Sequence, residues 1–109
     1  MLEALFGSRA AERVLLHLQN YGEGYGRDIA QTFGLYPTSV NAQLRKFEEA
    51  GFLVRRTLGR TRLYSWNPHN PLVAPLRTLL QAALESLPEN ELETYFRQRR
   101  RPRKFSKPI

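Results

Sequence analysis

The side chains best equipped for chemistry in this 109-residue chain are hydrogen-bond donors and cations with no nucleophile beside them. Between residues 37 and 49 a helical stripe of Val40, Leu44 and Phe47 turns Thr38, Asn41, Ala42, Arg45 and Lys46 to the opposite side. Ser39 and Gln43 flank that polar face, and Pro37 stands at its start. Arg55, Arg56, Arg60 and Arg62 follow closely, around a loop that contains Gly59. A guanidinium fork and a side-chain amide grip an anion or the edge of a base without breaking a bond in it. Recognition of a polyanion is therefore the chemistry these residues suit.

Catalysis lacks a complete set of groups. The chain has no cysteine, which removes disulfides, thiolate ligands and a thiol nucleophile. His17, among Leu15, Leu16 and Leu18, reads as a surface or packing residue, and His69 lies in a proline-flanked loop with no partner in view. Glu48 and Glu49 close the donor-bearing helix and make a poor acid/base pair. With no Gly-rich phosphate loop and no nucleophile motif, no enzyme activity, catalytic residue, metal ligand or cofactor is expected.

Charge is segregated along the chain. The net charge of +7 resides in residues 97–109, which hold seven cations and no acid, so residues 1–96 balance. Within that neutral body, residues 45–62 hold six cations against Glu48 and Glu49, while residues 63–96 hold Arg77 against four glutamates. The excess sits on the polar helix and the following hairpin, as contact with a phosphate backbone requires.

The elements that must carry these residues follow from periodicity. Ile29, Ala30 and Phe33 mark a first short helix that Gly34 stops; Pro37 suits the opening turn of a second, over 37–49. Ala30 lets the two helices approach, Gly34 makes the corner, and Val40 fills the angle. The runs 53–57 and 62–66 form a hairpin around residues 58–61. Upstream, Ser8 is expected to cap a helix from Arg9 to about Asn20 with Ala11, Val14, Leu15 and Leu18 inward, and Tyr25 to form a short strand against the hairpin. The segment before it is interrupted by Glu3, Arg9, Glu12 and Arg13, so neither a signal peptide nor a membrane span is expected, and the cytoplasm is the default location. Pro75 must lie in the first turn of a helix reaching to Leu87, and a last short helix over Glu89–Arg100 would put Leu92, Tyr95 and Phe96 on one side.

Helix, turn, helix and hairpin in this order predict a mainly α fold with a small β-hairpin (α+β), a winged helix-turn-helix. LFGS near the start, RDIAQTFGL, the Val40, Leu44, FEEAGFL series, GRTRLY in the hairpin and NPHNPL after it carry a resemblance to the bacterial and archaeal winged helix-turn-helix regulators of the ArsR-like kind. That resemblance implies a sequence-specific, double-stranded DNA-binding transcriptional regulator, usually dimeric and usually a repressor. The recognition helix over 37–49 would enter the major groove, and the wing over 53–66 would lie on the backbone or minor groove. Thr38, Asn41 and Arg45 are then the candidates for base edges, with Ser39, Gln43, Lys46, Arg55, Arg56, Arg60 and Arg62 nearer phosphates and Pro37 completing the DNA-binding set at the start of the helix. Two departures stand out: Tyr36 replaces the usual Ser or Thr cap of the recognition helix, and Ala42 replaces a longer polar residue, leaving it a thymine methyl or nothing to touch. Metal sensing, common in that family, finds no cysteine pair on the recognition helix and no histidine on the helix after Leu72.

The expected organisation is a winged-helix domain over 1–87 with a dimerisation helix at about 71–87, a short helix in 88–100, and a basic flexible tail over 101–109. The leucine-rich stripe after Leu72 either completes the monomer core or meets the same helix of a second subunit. The second reading is preferred, through Leu2, Leu5, Phe6, Leu72, Leu76, Leu79, Leu80 and Leu84, and implies a homodimer on an inverted repeat. In the tail, Arg99, Arg100, Arg101, Arg103 and Lys104 are candidate phosphate contacts. No membrane partner is expected, and no small-molecule effector is identified. The rival reading is a winged-helix protein-interaction module in which the same helix and wing dock a protein and DNA binding is weak or non-specific.

Overall fold

The computed structural model describes residues 1–98. In chain order they form α1 (Glu3–Phe6), α2 (Arg9–Tyr21), β1 (Glu23–Tyr25), α3 (Gly26–Phe33), α4 (Pro37–Glu49), β2 (Leu53–Leu58), β3 (Thr61–Trp66), α5 (Val73–Glu85) and α6 (Glu89–Glu91). The last runs into a wide π-turn over Leu92–Phe96.

Everything packs on α2. Its Ser8 cap forms as expected, with the Ala11 N–H donating to Ser8 Oγ at 3.0 Å. The buried surface is wider than the expected stripe: Glu12, Leu16 and His17 are covered as well as Ala11, Val14, Leu15 and Leu18. The cause is that α1, α3, α4, α5 and β1 surround the helix on different sides. His17 is a packing residue whose ring lies 4.6 Å from that of Tyr21, and a β-carbon at Gly24 would stand 3.1 Å from the same imidazole. Glu12 accepts the Leu2 N–H at 2.7 Å, which draws Leu2 into the core.

The helix-turn-helix corner has the expected chemistry. Gly34 adopts φ +66°, and the Leu35 N–H returns to Ala30 O at 2.9 Å, so α3 ends where a side chain would be strained. Tyr36 supplies no side-chain cap, and α4 opens on Pro37 alone, with the Val40 N–H bonded to Tyr36 O at 3.1 Å. Val40 and Leu44 are both 0% exposed, which seats α4 firmly on the core. The hairpin is longer than expected by one residue on each strand, leaving only Gly59 and Arg60 as its loop. β3 is central in a β1-β3-β2 antiparallel sheet, with Tyr25 opposite Leu63 and Leu53 opposite Trp66. Trp66 Nε1–H donates to Leu18 O at 3.2 Å and so ties the wing's root to α2.

α5 carries two separate apolar stripes. Val73, Leu80, Ala83 and Leu84 are buried, as α5 packs along α2. Leu80 and Leu84, like Leu2, therefore belong to the core of the single chain and do not stand where a second subunit could meet them, a correction to the expected dimerisation set. Leu72, Leu76 and Leu79, at i, i+4 and i+7, form the other stripe; Leu72 is 60% and Leu79 41% exposed, with Leu76 half-buried. Leu5, at 67%, is exposed as well, and Phe6 is half-buried. Pro75 falls in the first turn.

The C-terminal segment departs from the expected helix over 89–100. Helical structure stops at Phe96, and most of it is the π-turn. Asn20 Nδ2 donates to Phe96 O at 2.7 Å and Tyr21 OH to Tyr95 O at 2.9 Å, so α2 captures carbonyls that a continuing helix would use. Phe33 meets Tyr95 and Phe96 with ring centroids 5.1 and 5.7 Å apart, and the Arg13 guanidinium lies over Phe33 and Tyr95. Arg99, Arg100, Arg101, Arg103 and Lys104, the expected tail contacts, lie outside the described residues. Because Phe96 is buried among α2 and α3 side chains, Phe96→Ala is expected to lower unfolding free energy by about 3–5 kcal/mol in equilibrium urea denaturation. A loss below about 1 kcal/mol would mean that the segment is not part of the core.

Candidate nucleic-acid interface

With Val40 and Leu44 turned inward, helical geometry leaves Pro37, Thr38, Ser39, Asn41, Ala42, Arg45 and Lys46 exposed on α4. They do not all face one way. Thr38, Ala42 and Arg45 occupy the centre of the outward face. Asn41 lies on the flank towards the wing, its Oδ1 against Gly26, where a β-carbon would collide with it. Lys46 is on the other flank, its ammonium 3.5 Å from Phe6 O and over the Phe47 ring. Gln43 is half-buried, and its Oε1 is covered without a hydrogen-bond partner among the described residues. Residue 43 falls beside Phe47 on the helical wheel, so the amide oxygen of Gln43 points into the protein.

The wing divides its arginines by strand periodicity. Register sets Arg55 opposite Tyr64 and Thr57 opposite Arg62, so Arg55 and Arg62 share the face turned towards the helices. Arg56, opposite Leu63, is on the other face, and Arg60 is in the loop. Arg55 Nε is 3.6 Å from Glu48 Oε2 at the end of α4, a half-exposed pair of small energetic weight.

Arg60 and Arg62 meet Asn41 around an open cleft of about 230 Å³, walled by Tyr25 and Tyr64 and completed by Arg27 in the first turn of α3. Arg27 was not among the residues singled out from sequence. No local pattern marks it; pairing of Tyr25 with Leu63 across 38 positions is what carries it to the wing. A second hollow, of about 450 Å³ and almost wholly apolar, lies among Phe6, Phe47, Phe52, Leu72, Pro75 and Leu76. Among the described residues no group of three or more His, Cys, Asp or Glu side chains could hold a metal ion, and no helix is long and apolar enough to cross a membrane.

No family model matches the chain. No curated protein matches it either. Solved structures do. The AntR antimony-specific transcriptional repressor is similar at 23% identity and a TM-score of 0.60, over 77% of this chain and 74% of that one. The homodimeric winged helix-turn-helix DNA-binding domain of Mb0332 from Mycobacterium bovis, a possible ArsR-family regulator, is similar at 22% identity and a TM-score of 0.56, over 82% and 80%. Reduced AbfR bound to DNA is similar at 18% identity and a TM-score of 0.57, over 84% and 67%. These likenesses establish the winged helix-turn-helix fold.

The wing's reach depends on its two-residue loop, where Gly59 adopts φ +63°. Gly59→Val is expected to cost about 1–2 kcal/mol locally and to speed amide hydrogen exchange at Leu58 and Thr61, with α2 exchange unchanged. Unaltered exchange in the loop would contradict this conformation.

Proposed function

We propose that this chain is a sequence-specific double-stranded DNA-binding transcriptional regulator of the ArsR-like kind, acting as a cytoplasmic homodimer on an inverted repeat. The observation that carries the reading is that Asn41, on the wing-side flank of α4's polar face, lines one cleft with Arg60 and Arg62 of the wing. In this reading α4, residues 37–49, enters the major groove, and the wing, residues 53–66, lies over the backbone and minor groove. Arg45 and Thr38 meet base edges, and Ala42 is short enough to accept a thymine methyl. Pro37 and Ser39 stand at the entry of the helix, beside the backbone. Arg60 and Arg62 contact phosphates, and the tail cations Arg99, Arg100, Arg101, Arg103 and Lys104 add to the electrostatic attraction. Repression is the mode of regulation we infer, the mode of the antimony-specific repressor AntR, which has the same fold.

The exposed stripe of Leu72, Leu76 and Leu79, with Leu5 and Phe6 beside the apolar hollow, supports a second copy on the side of α5 away from its buried stripe. The rival reading, protein docking through α4 and the wing, is less well supported. The outward face of α4 is polar, and only Val54 and Leu58 are large exposed apolar residues on the wing.

The test is duplex affinity as a function of salt. Log affinity should fall steeply with log salt, and deleting residues 97–109 should flatten the slope by up to about six units per subunit. Arg45→Ala should cost on the order of 1–3 kcal/mol on a preferred site and much less on random duplex. Equal losses on both would remove the base-reading role. For the dimer, Leu72→Glu with Leu79→Glu should give a folded monomer by sedimentation; a dimer that survives both charges would place the interface elsewhere.

A further inference from the structure

We propose that the cleft between α3, α4 and the wing seats a single phosphate group of the DNA backbone. Arg27, Arg60 and Arg62 are its cations, and Asn41 acts there as a positioning residue rather than as a reader of bases. The proposal rests on the duplex-binding reading above and changes the role that sequence alone suggests for Asn41.

Three observations converge on it. The cleft is lined by three arginines and no carboxylate, and the nearest acid on α4's wing flank, Glu48, is engaged with Arg55. A concave site of that sign attracts an anion, and a guanidinium matches phosphate geometry better than any other side chain. Second, Asn41 is turned away from the centre of the outward face. Its Oδ1 lies against Gly26, and its side chain makes no hydrogen bond among the described residues, so its amide N–H groups remain available to an acceptor in the cleft. Third, size discriminates between ligands. About 230 Å³ is below the roughly 300–1,000 Å³ of small-molecule sites, so the cleft fits one group of a larger ligand rather than a whole effector.

The mounting of the site gives the contact a purpose. Arg27 lies in α3 two residues beyond β1, Arg62 is on β3, and the two strands are hydrogen-bonded, so the pairing holds the two cations close. A phosphate held there would bind the root of the wing and the flank of α4 to one point on the duplex. It would fix how α4 enters the groove without carrying sequence information itself.

The experiment uses the full chain and duplexes of its preferred sequence in which single phosphates are replaced, one at a time, by neutral methylphosphonates. Wild type should lose distinctly more affinity at one phosphate in each half-site than at the others. Arg27→Ala should bind more weakly, with a salt slope lower by about one unit per subunit, and should no longer respond to neutralisation of that phosphate. Asn41→Ala should lose the same response while keeping its preference at every base pair. Gly26→Ala, which crowds Asn41 Oδ1 from a helical position that tolerates alanine, should weaken binding in the same way. Relaxed preference at one base pair in Asn41→Ala would make it a base reader and overturn the proposal. So would wild-type sensitivity to every phosphate in Arg27→Ala. Free inorganic phosphate shares the chemistry; if it alone, at matched ionic strength, moved the NMR signals of Arg27 and Asn41 as far as duplex does, the backbone assignment would fail. Absence of salt-dependent duplex binding by wild type is a different result: it would overturn the functional reading, and this proposal with it.

Discussion

The complete burial of Val40 and Leu44 is the constraint on which the rest of the molecule depends. Two fully enclosed side chains on one face of α4 fix both its rotation about its own axis and its distance from α2. Once that rotation is set, Thr38, Ala42 and Arg45 have no choice but to face outward. Gly34 performs the complementary task at the corner: its left-handed backbone lets α3 stop abruptly, so Pro37 can start α4 after only two further residues. A polar surface made this way owes its shape to the core behind it and not to contacts among its own residues.

A second constraint is the short β1–β3 ladder. Three residue pairs join the start of α3 to the wing and so assemble Arg27, Asn41, Arg60 and Arg62 around one cleft. The same pairing leaves Arg56 on the other face of the sheet and Arg55 against Glu48. Basic residues that look equivalent along the chain thus acquire different positions, and a run of arginines resolves into a cleft, a tip and an outer face.

What was legible in the sequence followed from local physics. The bounds of α4 coincide with the expected 37–49 because Pro37 can only start a helix and the Val40, Leu44, Phe47 spacing admits one phase. The Ser8 cap, the Gly34 corner and the Pro75 first turn were readable for the same reason. The illegible features are long-range. Glu12 and His17 are polar residues buried because α2 is surrounded, which no stripe on α2 itself reveals. The leucines after Leu72 looked like one broad stripe; packing against α2 splits them, taking Leu80 and Leu84 inward and leaving Leu72 and Leu79 outside. The end of the last helix at Phe96 depends on Asn20 and Tyr21, more than 70 positions earlier. Arg27 gained its place through a strand pairing.

In the proposed function, α4 and the wing read a double-stranded groove, twice, in a symmetric dimer. Selection of bound duplexes from a random library by the full chain addresses it most directly. Enrichment of one inverted repeat is expected, with half-sites centred about 10 base pairs apart, or a multiple of that spacing. Recovery of duplexes with no common sequence, at any salt concentration, would contradict it.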